Sequence, residues 1–260
     1  MPPDAIAEPF RQTATLRHRS HRPWPLPRRP WLLGQTWRSL LFAHWPLDPA
    51  VLAPLVPRPL ALDTFAGRAW IGLTPFVVTG HRPAPLPPLP VVSTFPELNV
   101  RTYVTAGGKP GIHFFSLDAA SSLAVAAARW YYHLPYYRAE MSTVRADGAV
   151  AYESTRVDDR GGQARFVARY GATGAPVQAE HGSLEHFLVE RYCLYTLAEG
   201  RLLRGEIHHP PWPLQPAEAE IAVNTMAPAG VELPGTPPLL HFAARQDVLI
   251  WGPARVRRDA

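Results

Sequence analysis

The sequence is poor in lysine and in cysteine. Among 26 basic residues in a chain of 260, only Lys109 is a lysine, and Cys193 is the single cysteine. One cysteine excludes an internal disulfide and a thiolate metal cluster. Because Cys193 lies in an apolar segment with helical spacing, we expect a buried and unreactive thiol there rather than a nucleophile.

Long apolar segments are also absent. No apolar run approaches the ~20 residues of a membrane span, and the N-terminus has Arg and Pro but no apolar stretch of the kind that a secretory signal needs. An Arg-rich organelle presequence stays open as an alternative, although four prolines between Pro23 and Pro30 would interrupt its amphipathic helix. The sequence therefore predicts a cytoplasmic protein with no membrane partner.

The net charge of +5 is concentrated near the N-terminus. Residues 1–30 hold six Arg against two acidic residues, a net +4, which leaves only +1 for the other 230 residues. No basic face for nucleic acid is therefore expected on the folded body. Residues 1–30, which are polar and Pro-rich, are predicted to form a disordered or loosely held arm anchored by Trp24 and Trp31, and residues 31–260 are predicted to form a single domain.

An alternating segment runs from Glu97 to Val104. A period of two places Glu97, Asn99, Arg101 and Tyr103 on one face of a predicted strand. A carboxylate, an amide, a guanidinium and a phenol without any Lys, Ser or Thr among them are typical of the polar lining of a ligand pocket. The alternative interpretation is an edge strand whose polar face meets water.

The segments around this strand predict the fold class. Glycines at 106–110 indicate a hairpin loop, and 111–117 returns as the partner strand. Asp118 stands at a predicted helix N-cap, and Pro135 must end that helix. A second helix is predicted after Ser183, and antiparallel strands joined by short turns fill most of the remaining chain. The pattern predicts a mainly β, α+β fold with two main helices.

Common catalytic and cofactor motifs are missing. The sequence has no H-E-x-x-H, no G-x-S-x-G and no G-x-G-x-x-G or P-loop. His208 and His209 are neighbours on a predicted strand, so their side chains point to opposite faces and cannot chelate one ion. Neither a metal site nor a cofactor is predicted.

Several motifs, taken in order, resemble the YqjF-like family of uncharacterised proteins. They are LVPRPLALD, FPELNVRTYV, FFSLDA, HLPYY, GSLEHFLVERY and IHHPPWPL. The resemblance covers Trp37 to Ser142 and, more loosely, the chain as far as Trp251. That family is in turn similar to acetoacetate decarboxylase. The resemblance implies the decarboxylase fold, a cone-like antiparallel β-barrel around a central pocket.

The resemblance also implies site residues. It places Arg38 on the pocket arginine of the decarboxylase, Glu97 on one of its two active-site glutamates, and Arg129 on an arginine of its helix. Trp70 occupies the position of the other glutamate.

The chain departs from the decarboxylase at the nucleophile. Tyr136 and Tyr137 stand where the decarboxylase has its Schiff-base lysine and the lysine that lowers the pKa of that amine. Lys109 lies in a predicted hairpin turn and has no counterpart. Decarboxylation through an imine is therefore not expected.

We expect the pocket to bind a small organic acid or carbonyl compound without a cofactor. The candidate catalytic residues are Glu97, as general base or acid, and Tyr136, as proton donor, for lyase, hydratase or isomerase chemistry. The candidate ligand-binding residues are Arg38, Asn99, Arg101, Trp70, Tyr137 and Arg129. Two alternatives stay open, namely a non-catalytic small-molecule-binding protein and a structural ion pair between Glu97 and an arginine. A homo-oligomer is also left open.

Overall fold

Thirteen β-strands dominate residues 3–88 and 93–256, the parts of the chain that the computed structural model describes. In chain order they are β1 (Leu33–Leu47), β2 (Ala61–Leu62), β3 (Ala69–Pro83), β4 (Phe95–Ala106), β5 (Lys109–Ala119), β6 (Tyr136–Ala146), β7 (Ala149–Arg156), β8 (Arg165–Ala172), β9 (Cys193–Ala198), β10 (Arg201–His208), β11 (Gln215–Asn224), β12 (Leu239–Ile250) and β13 (Ala254–Arg255). The prediction of a mainly β protein is confirmed.

The strands pair in two runs. One run passes from β1 through β3, β4, β5, β9, β10 and β12 and returns to β1, and a second run of β6, β7, β8 and β11 connects β5 with β12. The contacts of β5 with β9 and of β10 with β12 involve only two residue pairs each. The pairings of β5 with β6 and with β9 are parallel, which the prediction of a purely antiparallel sheet did not include. The helix between β5 and β6 supplies the crossover that a parallel pair needs.

Four α-helices are described, and they differ from the two main helices predicted. They are α1 (Pro3–Ala14), α2 (Pro49–Leu52), α3 (Ser122–Tyr132) and α4 (Leu184–Val189). Ser183 does cap α4, since its side chain accepts from the His186 amide, but the helix has only six residues. The apolar residues that follow form β9, because a short apolar run fits a buried strand as well as a helix.

Cys193 therefore lies on a strand and not on a helix, which corrects the predicted element. The thiol is buried, as expected. Burial raises the pKa of the Cys193 thiol to about 11, so the sulfur stays protonated and a poor nucleophile at neutral pH.

Residues 3–30 are not a loosely held arm. The α1 side chains of Glu8 and Gln12 are buried against the sheet. Glu8 Oε1 accepts from Thr79 Oγ1 at 2.7 Å, and Gln12 Nε2 donates to Thr36 Oγ1 at 3.2 Å. Helix α1 thus satisfies polar groups of β1 and β3, a tertiary role that polar, Pro-rich composition conceals. The predictions for Met1 and Pro2 lie outside the described residues.

Strand β4 is buried on both faces. Leu98 and Val100 belong to a core cluster shared with Tyr152 of β7 and Phe166 of β8. On the opposite face Glu97, Asn99 and Arg101 are 4%, 7% and 7% exposed, and Tyr103 is fully buried. The alternative of a polar face meeting water is therefore wrong for this strand.

Candidate functional site

A cavity of about 290 Å³ lies where the polar face of β4 meets β1, β3, β5 and helix α3. Most of its walls are apolar or aromatic, and Glu97, Asn99 and Arg101 form a polar line along one side. The aromatic lining residues are Trp37, Phe42, Phe76, Phe95, Phe114, Trp130, Tyr131, Tyr132, Tyr136 and Trp212. Such a mixture of apolar walls and a few polar groups is typical of sites for small organic molecules.

Helix α3 presents small residues to the cavity. Ala124, Ala127 and Ala128 line it. The N-cap is Ser121, whose hydroxyl accepts from the Ala124 amide, and not Asp118. Strand β5 continues beyond the predicted end, and the buried carboxylate of Asp118 pairs there with an Arg156 nitrogen at 2.6 Å.

The end of α3 orients Tyr136. The chain leaves the helix through His133, which adopts a left-handed conformation with φ 53°, and Pro135 follows. Arg129 Nη1 donates to the Tyr136 carbonyl at 2.8 Å. Arg129 thus holds the turn, and it is absent from the described cavity lining.

Tyr136 meets Glu97 inside the cavity. The tyrosine hydroxyl donates to Glu97 Oε1 at 3.1 Å, across 39 residues of sequence. Burial raises the pKa of Glu97 to about 7, and hydrogen bonds from Tyr136 and Asn99 partly oppose that rise. Burial, together with the charge of Glu97, raises the pKa of Tyr136 well above its usual value. A carboxyl that titrates near neutrality beside a protonated phenol suits general acid–base chemistry.

Glu97 has no ion pair with an arginine within the described parts of the chain. The structural ion pair offered as an alternative is therefore not found there.

Arg101 and Arg191 line the far end of the cavity. Arg191 Nη1 pairs with Asp63 Oδ2 at 2.6 Å. The Arg101 guanidinium donates to the Leu188 carbonyl at 3.4 Å, and its Nε has no partner. The Asn99 Oδ1 atom, between the two ends of the line, also lacks a partner.

Arg38 points away from the cavity, contrary to the prediction. Its guanidinium donates to Glu8 Oε1 at 2.9 Å, and the side chain is 29% exposed. Trp37 and Leu40 both line the cavity although three positions separate them. Ser39 has φ 51° within an irregular stretch of the β1–β3 pairing, and this bulge reverses the alternation of side chains.

Trp70 and Tyr137 are also absent from the lining of this cavity. The Trp70 indole is packed in an apolar cluster with Leu40 and Phe42. The Tyr137 ring lies 4.2 Å from the Arg156 guanidinium. As the strand neighbour of Tyr136, Tyr137 must face the opposite side of β6. Neither residue therefore lines this cavity, and their ligand contacts stay predictions.

Several lining residues were not predicted from the sequence as ligand contacts. Trp37 Nε1 donates to Gln35 Oε1 at 2.7 Å, and Gln35 Nε2 lies 3.0 Å from His81 Nδ1. These residues come from β1 and β3, and no motif joins them. Only their residue types, aromatic or amide on buried strands, could have indicated a site.

The His208 and His209 side chains point to different partners, as the alternation predicts. His209 lines the cavity, while His208 Nε2 lies 2.9 Å from the Thr15 carbonyl. Within residues 3–88 and 93–256 no group of three or more His, Cys, Asp or Glu side chains is placed to hold a metal ion.

Comparisons with known proteins show the family of the chain and its fold. The profile of the DUF2071 family, described as an uncharacterized conserved protein, matches residues 34–247. The uncharacterized protein YqjF of Bacillus subtilis is 51% identical over 222 residues, which are 85% of this chain and 91% of that protein.

Solved structures of other proteins share the fold. An acetoacetate decarboxylase from Legionella pneumophila superposes with a TM-score of 0.61 at 13% identity, covering 94% of this chain and 95% of its own. The enduracididine biosynthesis enzyme MppR, in a complex with pyruvate, has a TM-score of 0.60 at 11% identity, covering 93% of this chain and 96% of its own.

None of the helices in the described residues has the length and apolar character needed to cross a membrane.

Proposed function

The chain belongs to the DUF2071 family, and we propose that it is a cofactor-independent acid–base enzyme of the lyase, hydratase or isomerase type. Its substrate in this proposal is a small organic acid or carbonyl compound held in the cavity beside β4. The cone-like barrel of the decarboxylase fold is part of the proposal, with the run of strands from β1 to β12 as its wall. The cytoplasmic location predicted from the sequence also stays a proposal.

The contact between Tyr136 and Glu97 carries this proposal. The Glu97 carboxylate takes a proton from the carbon beside a substrate carbonyl. The electron pair of the broken C–H bond forms the C=C bond of an enolate, and the carbonyl π pair moves to oxygen. As Glu97 becomes protonated, the Tyr136 hydroxyl shifts its single hydrogen bond from Glu97 to that oxygen. Glu97 then exchanges that proton with water and returns a proton to the same carbon, or to another carbon in an isomerisation.

MppR supports the class of substrate. That enzyme has the same fold and binds pyruvate, an oxo acid whose methyl protons lie beside a carbonyl. A carbonyl compound is also what a carboxyl with a pKa of about 7 can enolise near neutral pH.

Deuterium exchange tests the proposal. The protein is incubated in D2O at pD 8 with pyruvate, 4-oxopentanoate, 7-oxooctanoate or octan-2-one, and proton NMR follows the signals of the carbons beside each carbonyl. We expect the protein to accelerate exchange for at least one probe above the rate in buffer. If all four exchange only at the buffer rate, the acid–base function is wrong.

A non-catalytic binding protein is the second candidate. The chain lacks a lysine in the described cavity lining, and the walls there are mostly apolar, as in a carrier of small molecules. Binding of a probe by calorimetry without any accelerated exchange would favour this candidate over the enzyme.

Replacing Tyr136 with Phe should shift the pH dependence of exchange upward. The Tyr136 hydroxyl stabilises the charged carboxylate, so the loss of its hydrogen bond raises the pKa of Glu97 further above about 7. The base form then appears at higher pH, and the rate at pH 7 falls by on the order of 100-fold. Tyr137→Phe is the matched control, because that ring lies outside the cavity lining. It should change neither the pKa of Glu97 nor the exchange rate at pH 7. A Tyr136→Phe protein with a normal pH profile and a melting temperature several degrees lower would make Tyr136 a structural residue.

Lys109 should not form an imine. Its Nζ lies 2.8 Å from both carboxylate oxygens of the buried Glu206, and it is not among the described cavity residues. Treatment with pyruvate and borohydride followed by intact-mass measurement should show no adduct. A stable adduct that peptide mapping places on Lys109 would contradict this expectation.

A further inference from the structure

We propose that the Arg101 end of the cavity binds a carboxylate, and that the substrate is a medium-chain keto acid whose carbonyl lies far from that carboxylate, beside Glu97. This inference rests on the proposed function and names the substrate class of the same site. Of the arginines predicted from the sequence as ligand contacts, it keeps Arg101 and leaves out Arg38.

The positive charges of Arg101 and Arg191 at this end of the cavity exceed the negative charge that pairs with them. The Tyr103 ring lies 5.9 Å from the Arg101 guanidinium and 4.9 Å from that of Arg191, so the two cations are neighbours. Asp63 pairs with Arg191 at 2.6 Å, and no carboxylate pairs with Arg101 within residues 3–88 and 93–256. A buried cation without a counter-ion is costly unless a ligand supplies the negative charge.

Unpaired donors face the same region. Arg101 Nε and the indole Nε1 of Trp212 are both buried without a partner. Both side chains line the cavity and both contact the Phe42 ring, at 5.3 Å from the guanidinium and 4.9 Å between ring centroids. Donors that are buried and unsatisfied are rare unless a ligand or water accepts from them. A carboxylate offers two acceptor oxygens in the geometry that a guanidinium prefers.

Spacing along β4 sets the length of the substrate. Glu97 and Arg101 are four residues apart on a paired strand, and at ~3.3 Å per residue their Cα atoms are ~13 Å apart. Both side chains project from the same face of the strand, so we take their ends to be separated by about the same distance, and contacts of ~3 Å at each end leave about 7 Å between the carboxylate and the reacting carbon. Pyruvate and acetoacetate are too short to reach both groups. An acid with about six bonds between its carboxylate and its ketone spans the gap.

The cavity volume fits such an acid. An apolar cavity of about 150 Å³ accommodates benzene, which has six heavy atoms, and this cavity measures about 290 Å³. 7-Oxooctanoate has eleven heavy atoms, and its methylene chain would contact the apolar walls of Phe42 and Phe76. Asn99, with a free Oδ1, lies between the two ends.

Calorimetry on the full chain tests the inference with two matched ligands. 7-Oxooctanoate and octan-2-one carry the same ketone and a similar chain, but only the first has a carboxylate. We expect the acid to bind at least about 30-fold more tightly to the wild-type protein, the effect typical of a buried charge pair. Pyruvate should bind more weakly than 7-oxooctanoate. Equal affinity for the acid and the ketone would overturn the inference without any variant.

Substitutions at Arg101 test whether this residue binds the ligand carboxylate. Arg101→Gln should bring the affinity for 7-oxooctanoate down to that for octan-2-one and leave the ketone affinity unchanged, which also shows that the cavity is intact. Arg101→Lys should retain part of the preference for the acid. Arg145→Gln, on the exposed face of β6, is the control and should change neither affinity. An Arg101→Gln protein that keeps the full preference would place the carboxylate elsewhere.

Exchange and binding separate this inference from the proposed function. Tight, Arg101-dependent binding of 7-oxooctanoate without exchange would uphold the carboxylate end and reject the acid–base enzyme. Exchange of octan-2-one or pyruvate as fast as that of 7-oxooctanoate, unaffected by Arg101→Gln, would uphold the enzyme and reject the carboxylate end.

Discussion

Glu97→Gln is expected to make the protein more stable at pH 8 while it removes acid–base activity. Burial raises the pKa of Glu97 from 4.5 to about 7 in the folded state. The folded state therefore binds this proton more tightly than the unfolded state, and the stabilising effect is fully present below pH 4.5. It is lost as the pH rises to about 7, where the buried carboxyl becomes charged. At pH 8 the charged group lowers the free energy of unfolding by about 3 kcal/mol relative to a neutral one.

Gln has the shape of the protonated carboxyl and never carries the charge. The variant should melt on the order of 5–10 °C higher than wild type at pH 8, and the two proteins should differ little at pH 4.5. Exchange of carbon-bound protons should fall by ~10²–10⁴-fold, because the base is gone.

Differential scanning calorimetry at the two pH values measures the stability effect. Glu220→Gln on the exposed side of β11 is the control and should change the free energy of unfolding by less than ~0.5 kcal/mol. If Glu97→Gln is less stable than wild type at pH 8, Glu97 stabilises the fold and cannot be a strained functional carboxyl.

Glu206→Gln should cause the largest loss of stability. The buried Glu206 carboxylate accepts from Lys109 Nζ at 2.8 Å through both oxygens and from Arg204 Nε at 2.8 Å. Arg22 Nη2 lies 3.9 Å from it. Neutralising the carboxylate leaves the buried Lys109 ammonium unpaired and should cost ~3–5 kcal/mol.

A second substitution tests this cause. Lys109→Met alone leaves Glu206 paired with Arg204, so it should cost less than Glu206→Gln. The double variant should be more stable than Glu206→Gln, because the unpaired ammonium is removed with the carboxylate. Urea unfolding gives the three free energies. A loss below ~1 kcal/mol for Glu206→Gln would show that water reaches these charges. Ligand affinity should not change, since neither Glu206 nor Lys109 is among the described residues of the cavity.

The sequence by itself determined the features that depend on neighbouring residues. The pleat of a strand places Glu97, Asn99 and Arg101 on one side whatever the fold, and the structure keeps them on one cavity wall. The spacing of Ala124, Ala127 and Ala128 produces a thin helix face, and Pro135 ends that helix near Tyr136. The long motifs were sufficient to recognise the family, which the comparisons confirm.

Only the tertiary structure decided which charges have partners. The bulge at Ser39 turns Arg38 out of the cavity, and its register against β3 cannot be read from β1 alone. Arg191 comes to lie beside Arg101, from 90 positions away along the chain. Helix α1 buries the Glu8 side chain against the sheet. Whether a buried charge is neutralised depends on groups brought together across the fold. Local patterns of polarity carry no information about such groups, because the pairing energy arises from distance and burial rather than from order in the chain.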